Sequence, residues 1–329
     1  MEMEIGKVPN EVLEKLVFSN IKNKREEVLV SAGIGKDCAV LDFEKYGCVV
    51  STDPITGATH NIGSLAINIS CNDIASSGAE PIGVLMTILV PPKTTEAELE
   101  DIMRQAGETS KKLNIEIIGG HTEVTDAVNR VVITTTVIGR QLKENVLNAE
   151  ESIIGDKILI TKSAGIEGTA IIANELKEKL EGKVSVELLE EAIELNDSIS
   201  VVKEGMISSK IGVRYMHDIT EGGVMGAIWE ASKATGKGVL VNKDSIPLKK
   251  STIEICKVLD IDPYRLISSG SMLIVAPNKN VDILKEELKK ENIECTVIGE
   301  IVEDGIKMKE KDQILNIDPP GSDELYKVI

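Results

Sequence analysis

Four short segments each place an aspartate where an apolar run meets a turn: Gly33-Ile34-Gly35-Lys36-Asp37-Cys38-Ala39-Val40, Ser51-Thr52-Asp53-Pro54, Asn72-Asp73-Ile74-Ala75-Ser76-Ser77-Gly78-Ala79 and His217-Asp218-Ile219-Thr220-Glu221-Gly222-Gly223-Val224. Singly, most have a plain explanation, because Asp and Gly start turns and cap helices. Asp53 reads as a turn-starter before Pro54, Asp37 as the close of a glycine turn, and Asp218 as a cap for the helix after Gly223. Asp73 has less excuse, since it falls in a helix-like run between Asn72 and small or apolar residues. Together the four point to carboxylates gathered round a hard cation, as a Mg–nucleotide site requires. Phosphoryl transfer asks chiefly for charge neutralisation and alignment, so aspartates holding metal are a sufficient kit. Asn72, beside Asp73, has an amide suited to a phosphate oxygen or a metal-bound water. Gly119-Gly120-His121-Thr122-Glu123 follows a strand, where bare backbone N–H groups approach phosphates closely.

These residues need elements to hold them. Val8 to Asn20 has the spacing of a short amphipathic helix, with Val12, Leu13, Leu16 and Val17 on one face. Cys48 to Ser51 reads as a buried strand that delivers Asp53. Ile62 to Ser76 reads as a helix whose small residues Gly63, Ala66, Ser70, Ala75 and Ser76 allow close packing. Pro81 to Val90 is a strand stopped by Pro91-Pro92. Thr95 and Glu98 have capping-box spacing at the start of a helix reaching about Leu113. Ile115 to Ile118 and Val131 to Gly139 read as strands; the second is nearly all β-branched, with few charges to guard an edge, and is safer sealed between subunits. Periodicity fades between Arg140 and Gly155, which sets a boundary between residues 1–150 and 151–329. Strands at Lys157 to Thr161, near Val213, Gly238 to Val241, Ser271 to Ala276, Cys295 to Ile301 and Ile306 to Lys309 alternate with helices, so the fold class is α/β, with α+β layers.

Bulk properties narrow the function. At 329 residues with 42% hydrophobic content, the chain is long and apolar enough for two globular cores. Aromatics are only 2%, so Ile, Val, Leu and Ala must build those cores. The formal charge of −17 argues against nucleic acid as a partner, while Mg²⁺ can still bridge the acids to a triphosphate. The apolar runs are too short to cross a bilayer, and Met1-Glu2-Met3-Glu4 lacks the basic start of a secretory signal, so a cytoplasmic protein is expected. Cys38, Cys48, Cys71, Cys256 and Cys295 are scattered without C-x-x-C spacing, as buried free thiols are. His60 reads as a surface or satisfied core residue.

The motif order resembles the AIR synthase-like superfamily, often called PurM-like, which includes aminoimidazole ribonucleotide synthetase, selenophosphate synthetase, thiamine-monophosphate kinase and the hydrogenase maturation protein HypE. The resemblance spans nearly the whole chain and is strongest at residues 68–81, Met216-His217-Asp218-Ile219-Thr220-Glu221-Gly222-Gly223-Val224 and Ser268-Ser269-Gly270-Ser271-Met272-Leu273. It is closest to the HypE-like, AIR synthase-related branch. The resemblance implies a homodimer whose N-terminal halves pair into a β-barrel, with an ATP–Mg²⁺ site in the cleft between the two halves and across the pair. It implies transfer of the ATP γ-phosphate to an oxygen, in several members that of an amide, on a small-molecule or protein-bound acceptor. It matches Asp37, Asp53, Asp73 and Asp218 to metal positions, Asp73, His217 and Asp218 to the catalytic group, and Asp37, Asp53, Asn72, Gly119, Gly120, His121 and Thr122 to the nucleotide site.

Three departures temper that match. His121 stands where relatives carry an acid, and imidazole is a poor Mg²⁺ ligand. Lys36 stands where relatives have a carboxylate, which removes a ligand and adds a phosphate-seeking charge. No cysteine follows Cys295, whereas HypE chains end in a cysteine that carries the group to be dehydrated, so that chemistry on a tail thiol is not expected. Selenophosphate synthetase is disfavoured too, for want of its Cys/Sec–Lys loop before Gly33. Two functions follow: an ATP-dependent enzyme activating an amide-type oxygen, or a nucleotide-binding maturation scaffold of little turnover, working with a maturation partner. His217 is expected either to contact substrate or to orient Asp218.

Overall fold

The computed structural model describes residues 8–56 and 61–329. His60 and the Met1-Glu2-Met3-Glu4 start lie outside them. The first half forms a six-stranded sheet from β1 (Val28–Val30), β2 (Ala39–Phe43), β3 (Tyr46–Ile55), β4 (Glu80–Val90), β5 (Glu116–Val124) and β6 (Val132–Leu142), in the order β1-β2-β3-β6-β4-β5. The second half forms a seven-stranded sheet from β7 (Lys157–Thr161), β8 (Tyr215–Asp218), β9 (Gly238–Asn242), β10 (Met272–Ala276), β11 (Cys295–Val302), β12 (Ile306–Glu310) and β13 (Gln313–Asn316), in the order β13-β12-β9-β11-β7-β10-β8. Among the described residues only β4–β5 and β9–β12 pair in parallel. This is a mixed α/β architecture of helices layered on sheets, as the alternation of elements predicts. No helix is long and apolar enough to cross a membrane among the described residues.

The helix Ile62–Ser76 is the centre of the first half. It packs on β3 and β6 from below and against the helices Glu96–Leu113 and Val202–Ile211 from the side. Its residues are buried nearly all round, which explains why its small side chains are needed. A Cβ on Gly63 would stand 2.2 Å from the Ile102 carbonyl, and one on Gly205 would stand 2.2 Å from the Ala75 carbonyl. The capping box forms as the spacing predicts. The Thr95 N–H donates to Glu98 Oε2 at 2.7 Å, and the Glu98 N–H donates to Thr95 Oγ1 at 3.2 Å.

Several expectations need correcting. Residues 10–20 are helical but mix short α, π and 3-10 turns, and none of them is buried, so the apolar face of the proposed helix finds no core. β5 does not stop before the glycines: it runs through Gly119 and Gly120, whose φ values of 153° and 149° disfavour other residues. A Cβ on Gly120 would lie 1.8 Å from the Met86 carbonyl, so the bare backbone serves the approach of β5 to β4. β6 is an interior strand, flanked by β3 and β4. Its β-branched run is therefore sealed by its own chain, and the strands at the sheet's ends are β1 and β5.

Candidate active site

Asp53 reaches the site because of how β3 is paired. β2 covers one side of β3 only as far as Val50, while β6 covers the other side along the whole strand. From Ser51 to Ile55 one edge is therefore open, and Pro54, which has no N–H to donate, fits there without loss. Period-2 alternation puts Ser51 and Asp53 on the same face, toward the helix Ile62–Ser76. Asp73 lies in the last turn of that helix, 7% exposed, and accepts a hydrogen bond from the Ser51 hydroxyl. The helix C-terminus presents partial negative charge there, which favours a cation beside Asp73.

Asp37 comes from the turn before β2. Its Oδ2 accepts from the Ser76 hydroxyl at 3.0 Å and lies 2.9 Å from His217 Nδ1. Asp218 ends β8 in the second half and is 1% exposed, with neither carboxylate oxygen hydrogen-bonded among the described residues. It does not cap the following helix, whose N-cap is Gly222. The two halves are tied at this point: Tyr215 Oη donates to the Gly35 carbonyl at 3.1 Å.

All four aspartates line one cavity of about 1290 Å³. Its wall includes Lys36 and Arg130, neither of which has an ion-pair partner among the described residues. Crowding of like charge shows in the acids. Burial, then the charges of Asp218 and Asp53, push Asp73 well above the usual carboxylate range. Burial and Asp37 raise Asp218 to about 8, against the opposing pull of His217. The ligand atoms of Asp37, His217 and Asp218 lie within 4.8 Å of one another. His217 is not free to ligate, however, because Nδ1 faces Asp37 and Nε2 faces Glu230 Oε2 at 2.8 Å. What remains is a set of carboxylate oxygens, two of them buried without a partner, and that donor set suits Mg²⁺.

Other sequence-derived site residues fall elsewhere. Asn72 is fully buried, with Nδ2 donating to the Ile199 carbonyl at 2.8 Å and Oδ1 accepting from the Val201 N–H at 2.8 Å. One residue on from the cavity-facing position is a rotation of roughly 100° round a helix, so Asn72 faces the second half and staples the two together. Gly119, Gly120, His121 and Thr122 are on exposed β5 and do not line the cavity of this chain; His121 Nε2 faces Glu123 at 3.4 Å. His217 is 3% exposed and lies behind Asp37, with its ring held on both sides rather than lining the cavity. Cys38 does line it, but burial and nearby acids raise its thiol far above the usual value, and its Sγ–H donates to the Asp73 carbonyl. Cys295 is buried in β11.

Sequence reasoning missed Ser51, Ser76, Arg130, Glu167 and Glu230. Ser51 was findable, two residues before Asp53 on a strand. Glu230 is the lone acid of the helix Gly223–Thr235, and Glu167 stands among apolar and small residues in the first turn of Ile166–Glu175, which is the pattern of a buried acid with a task.

Residues 35–141 match the AIR synthase related protein N-terminal domain, and residues 154–310 match its C-terminal domain. A putative hydrogenase expression/formation protein of Methanocaldococcus jannaschii is 27% identical over 89% of this chain and 88% of its own length. The carbamoyl dehydratase HypE of Bradyrhizobium diazoefficiens is 27% identical over 74% of this chain and 70% of its own. Among solved structures, HypE in complex with ATP superposes with a TM-score of 0.74 at 20% identity, covering 96% of this chain and 95% of that one. AaThiL complexed with AMPPCP and TMP superposes at 0.77 and 15% identity, covering 98% and 99%. The two matched regions leave no large segment of either sheet outside the family's pattern, and the chain belongs to the AIR synthase-related, PurM-like family.

Proposed function

We propose that this protein binds Mg–ATP in the cavity and transfers the γ-phosphoryl group to an oxygen, that of an amide, on a small-molecule or protein-bound acceptor. The observation that carries this reading is the convergence of Asp37, Asp53, Asp73 and Asp218, from four separate segments, on one cavity in which Asp218 is buried without a hydrogen-bond partner among the described residues. Relatives whose names state carbamoyl dehydratase, and a HypE structure holding ATP, support it. The four aspartates would hold Mg²⁺, which supplies charge neutralisation for the polyphosphate. Lys36 and Arg130, lining the same cavity, meet phosphate oxygens: the lysine as a compact charge, the arginine as a planar fork. Ser51 and Ser76 fix Asp73 and Asp37 by hydrogen bonds, and His217 fixes Asp37 from behind. Residues 1–150 and 151–329 act in this reading as the two halves of one nucleotide cleft.

A thermal shift with Mg–AMPPNP tests binding. At one hundred times its dissociation constant the nucleotide adds about 2.7 kcal/mol to stability, and Asp73→Asn weakens that response strongly. No shift in the parent, or an equal shift in Asp73→Asn, removes the reading. A second reading, a nucleotide-binding scaffold of little turnover acting with a maturation partner, is favoured by the placing of Gly119 to Thr122 outside the cavity. Sustained ADP release with an acceptor amide present rules it out.

The reading includes a homodimer. The first sheet exposes apolar side chains, with Ile82, Leu85 and Ile118 exposed at 44, 38 and 49%. A second copy covering them also shields β5, whose edge is unpaired. Sedimentation at micromolar concentration should give twice the mass of the chain; a clean monomer contradicts it.

A further inference from the structure

The same cavity holds a second group of acids. Glu167, in the first turn of the helix Ile166–Glu175, is 4% exposed and lines the wall with Glu221, Ser269 and Tyr326. The charges acting on it most are Asp323 and Glu221, and not the four aspartates. The acids around it are already engaged. Asp323 accepts from the N–H groups of Gly222, Ile267 and Leu325 at 2.7, 3.1 and 2.9 Å, and Glu221 accepts from Tyr326 Oη at 2.8 Å. Glu167 faces the Ser269 hydroxyl and backbone amide, and both its Oε2 and the Ser269 Oγ are buried without a hydrogen-bond partner among the described residues. Buried acceptors left unpaired are costly, and one in a cavity wall has room for a ligand donor.

We propose that Glu167 marks the acceptor subsite, binding through Oε2 the N–H of a neutral carboxamide whose apolar body lies against Ile171, Ile267, Leu325 and Ile329. A metal ion does not fit here, because it asks for more than one open carboxylate oxygen and Asp323 is consumed by backbone amides. A carboxylate ligand is repelled by three acids. An ammonium is drawn by the same acids but is strongly hydrated, and with Asp323 and Glu221 already accepting other donors, Glu167 alone would replace its lost water beside a wall of isoleucine and leucine. The buried Glu167 carboxyl, raised by burial to about 7, keeps much of its population neutral near that pH, which further weakens the pull on a cation. This inference rests on the phosphoryl-transfer reading and names the acceptor side of that site.

The test uses three matched probes, valeramide, valerate and pentylamine, added to the full chain with and without Mg–AMPPNP, with melting temperature and calorimetry as readouts. Valeramide binds the parent and valerate does not. Glu167→Leu weakens valeramide at least tenfold, and Glu167→Gln, which keeps a carbonyl acceptor, stays within a few-fold of the parent. Both variants keep the Mg–AMPPNP shift, which shows that they fold and that the nucleotide site stands apart. Overturning results are valerate or pentylamine binding as well as valeramide, Glu167→Leu matching the parent, or valeramide failing to bind the parent. Loss of the Mg–AMPPNP shift in the parent fails the nucleotide reading, and valeramide without nucleotide still reports on Glu167.

Discussion

Replacing Asp218 with Asn should stabilise the metal-free protein at pH 8 and abolish its response to Mg–nucleotide. Asp218 is 1% exposed, with no hydrogen-bond partner for either oxygen among the described residues, and it shares the cavity with other acids. Burial and Asp37 raise it to about 8, whereas an unfolded aspartate titrates near ~3.9. A carboxyl raised in the folded state lends stability fully below the unfolded value, and that stability is lost as pH rises through the folded value. Metal-free protein should therefore weaken steadily between about pH 4 and pH 8, Asp73 adding to the slope because the two titrate together. The ionised form costs on the order of 3–5 kcal/mol at neutral to mildly alkaline pH. Asparagine removes the charge, though its amide needs a partner, so a net gain of about 1–3 kcal/mol remains. Mg²⁺ must displace the proton, so nucleotide affinity in the parent rises over the same pH range. Melting curves from pH 5 to 9, with and without Mg–AMPPNP, read all of this. A variant that keeps the parent's nucleotide response would leave Asp218 outside the metal site.

The sequence carried the elements better than the directions of side chains. Helix Ile62–Ser76, strand β7 and the Thr95–Glu98 box were legible because each rests on local chemistry: small residues at helical spacing, an apolar run of strand length, and reciprocal capping. The aspartates were legible as a set, since each sits at the end of an element and element ends meet in clefts. Asn72 was misread because adjacency in a helix puts neighbours on different faces, and only coordinates show that its face meets residues 199–201. Gly119-Gly120 was read as an approach to phosphate, but glycine serves equally a neighbouring strand, and the Met86 carbonyl lies against Gly120 here. The apolar spacing of residues 8–20 was genuine, but periodicity states what a helix is able to bury, not that a core exists to receive it. His217 was left between contacting substrate and orienting Asp218, whereas its partners are Asp37 and Glu230, and Glu230 lies on a helix whose facing no motif announces.

That histidine sets the second large effect. His217 stands between Asp37, at 2.9 Å, and Glu230, at 2.8 Å, and is 3% exposed. Burial works against its charge, but Asp37 and Glu230 outweigh it and hold the imidazolium well above the usual histidine range. The sign is that of a raised base: its stabilisation is complete below ~6.5, the unfolded value, and is lost as pH rises through the higher folded one. His217→Leu leaves two carboxylates facing an apolar side chain, and removing one member of a buried charge set costs about 3–5 kcal/mol. The pairing sets up a sharper comparison. His217→Leu with Glu230→Leu should recover part of the loss, because replacing a buried pair by apolar residues of similar volume is often close to neutral. Asp37 stays uncompensated in both, so added Mg–AMPPNP should return more stability to His217→Leu than to the parent wherever the metal still binds. Urea unfolding at pH 7 for the parent, the two single variants and the double variant measures the coupling directly. A His217→Leu protein within 1 kcal/mol of the parent, with no coupling to Glu230, would mean the imidazole is a spectator in the wall behind Asp37.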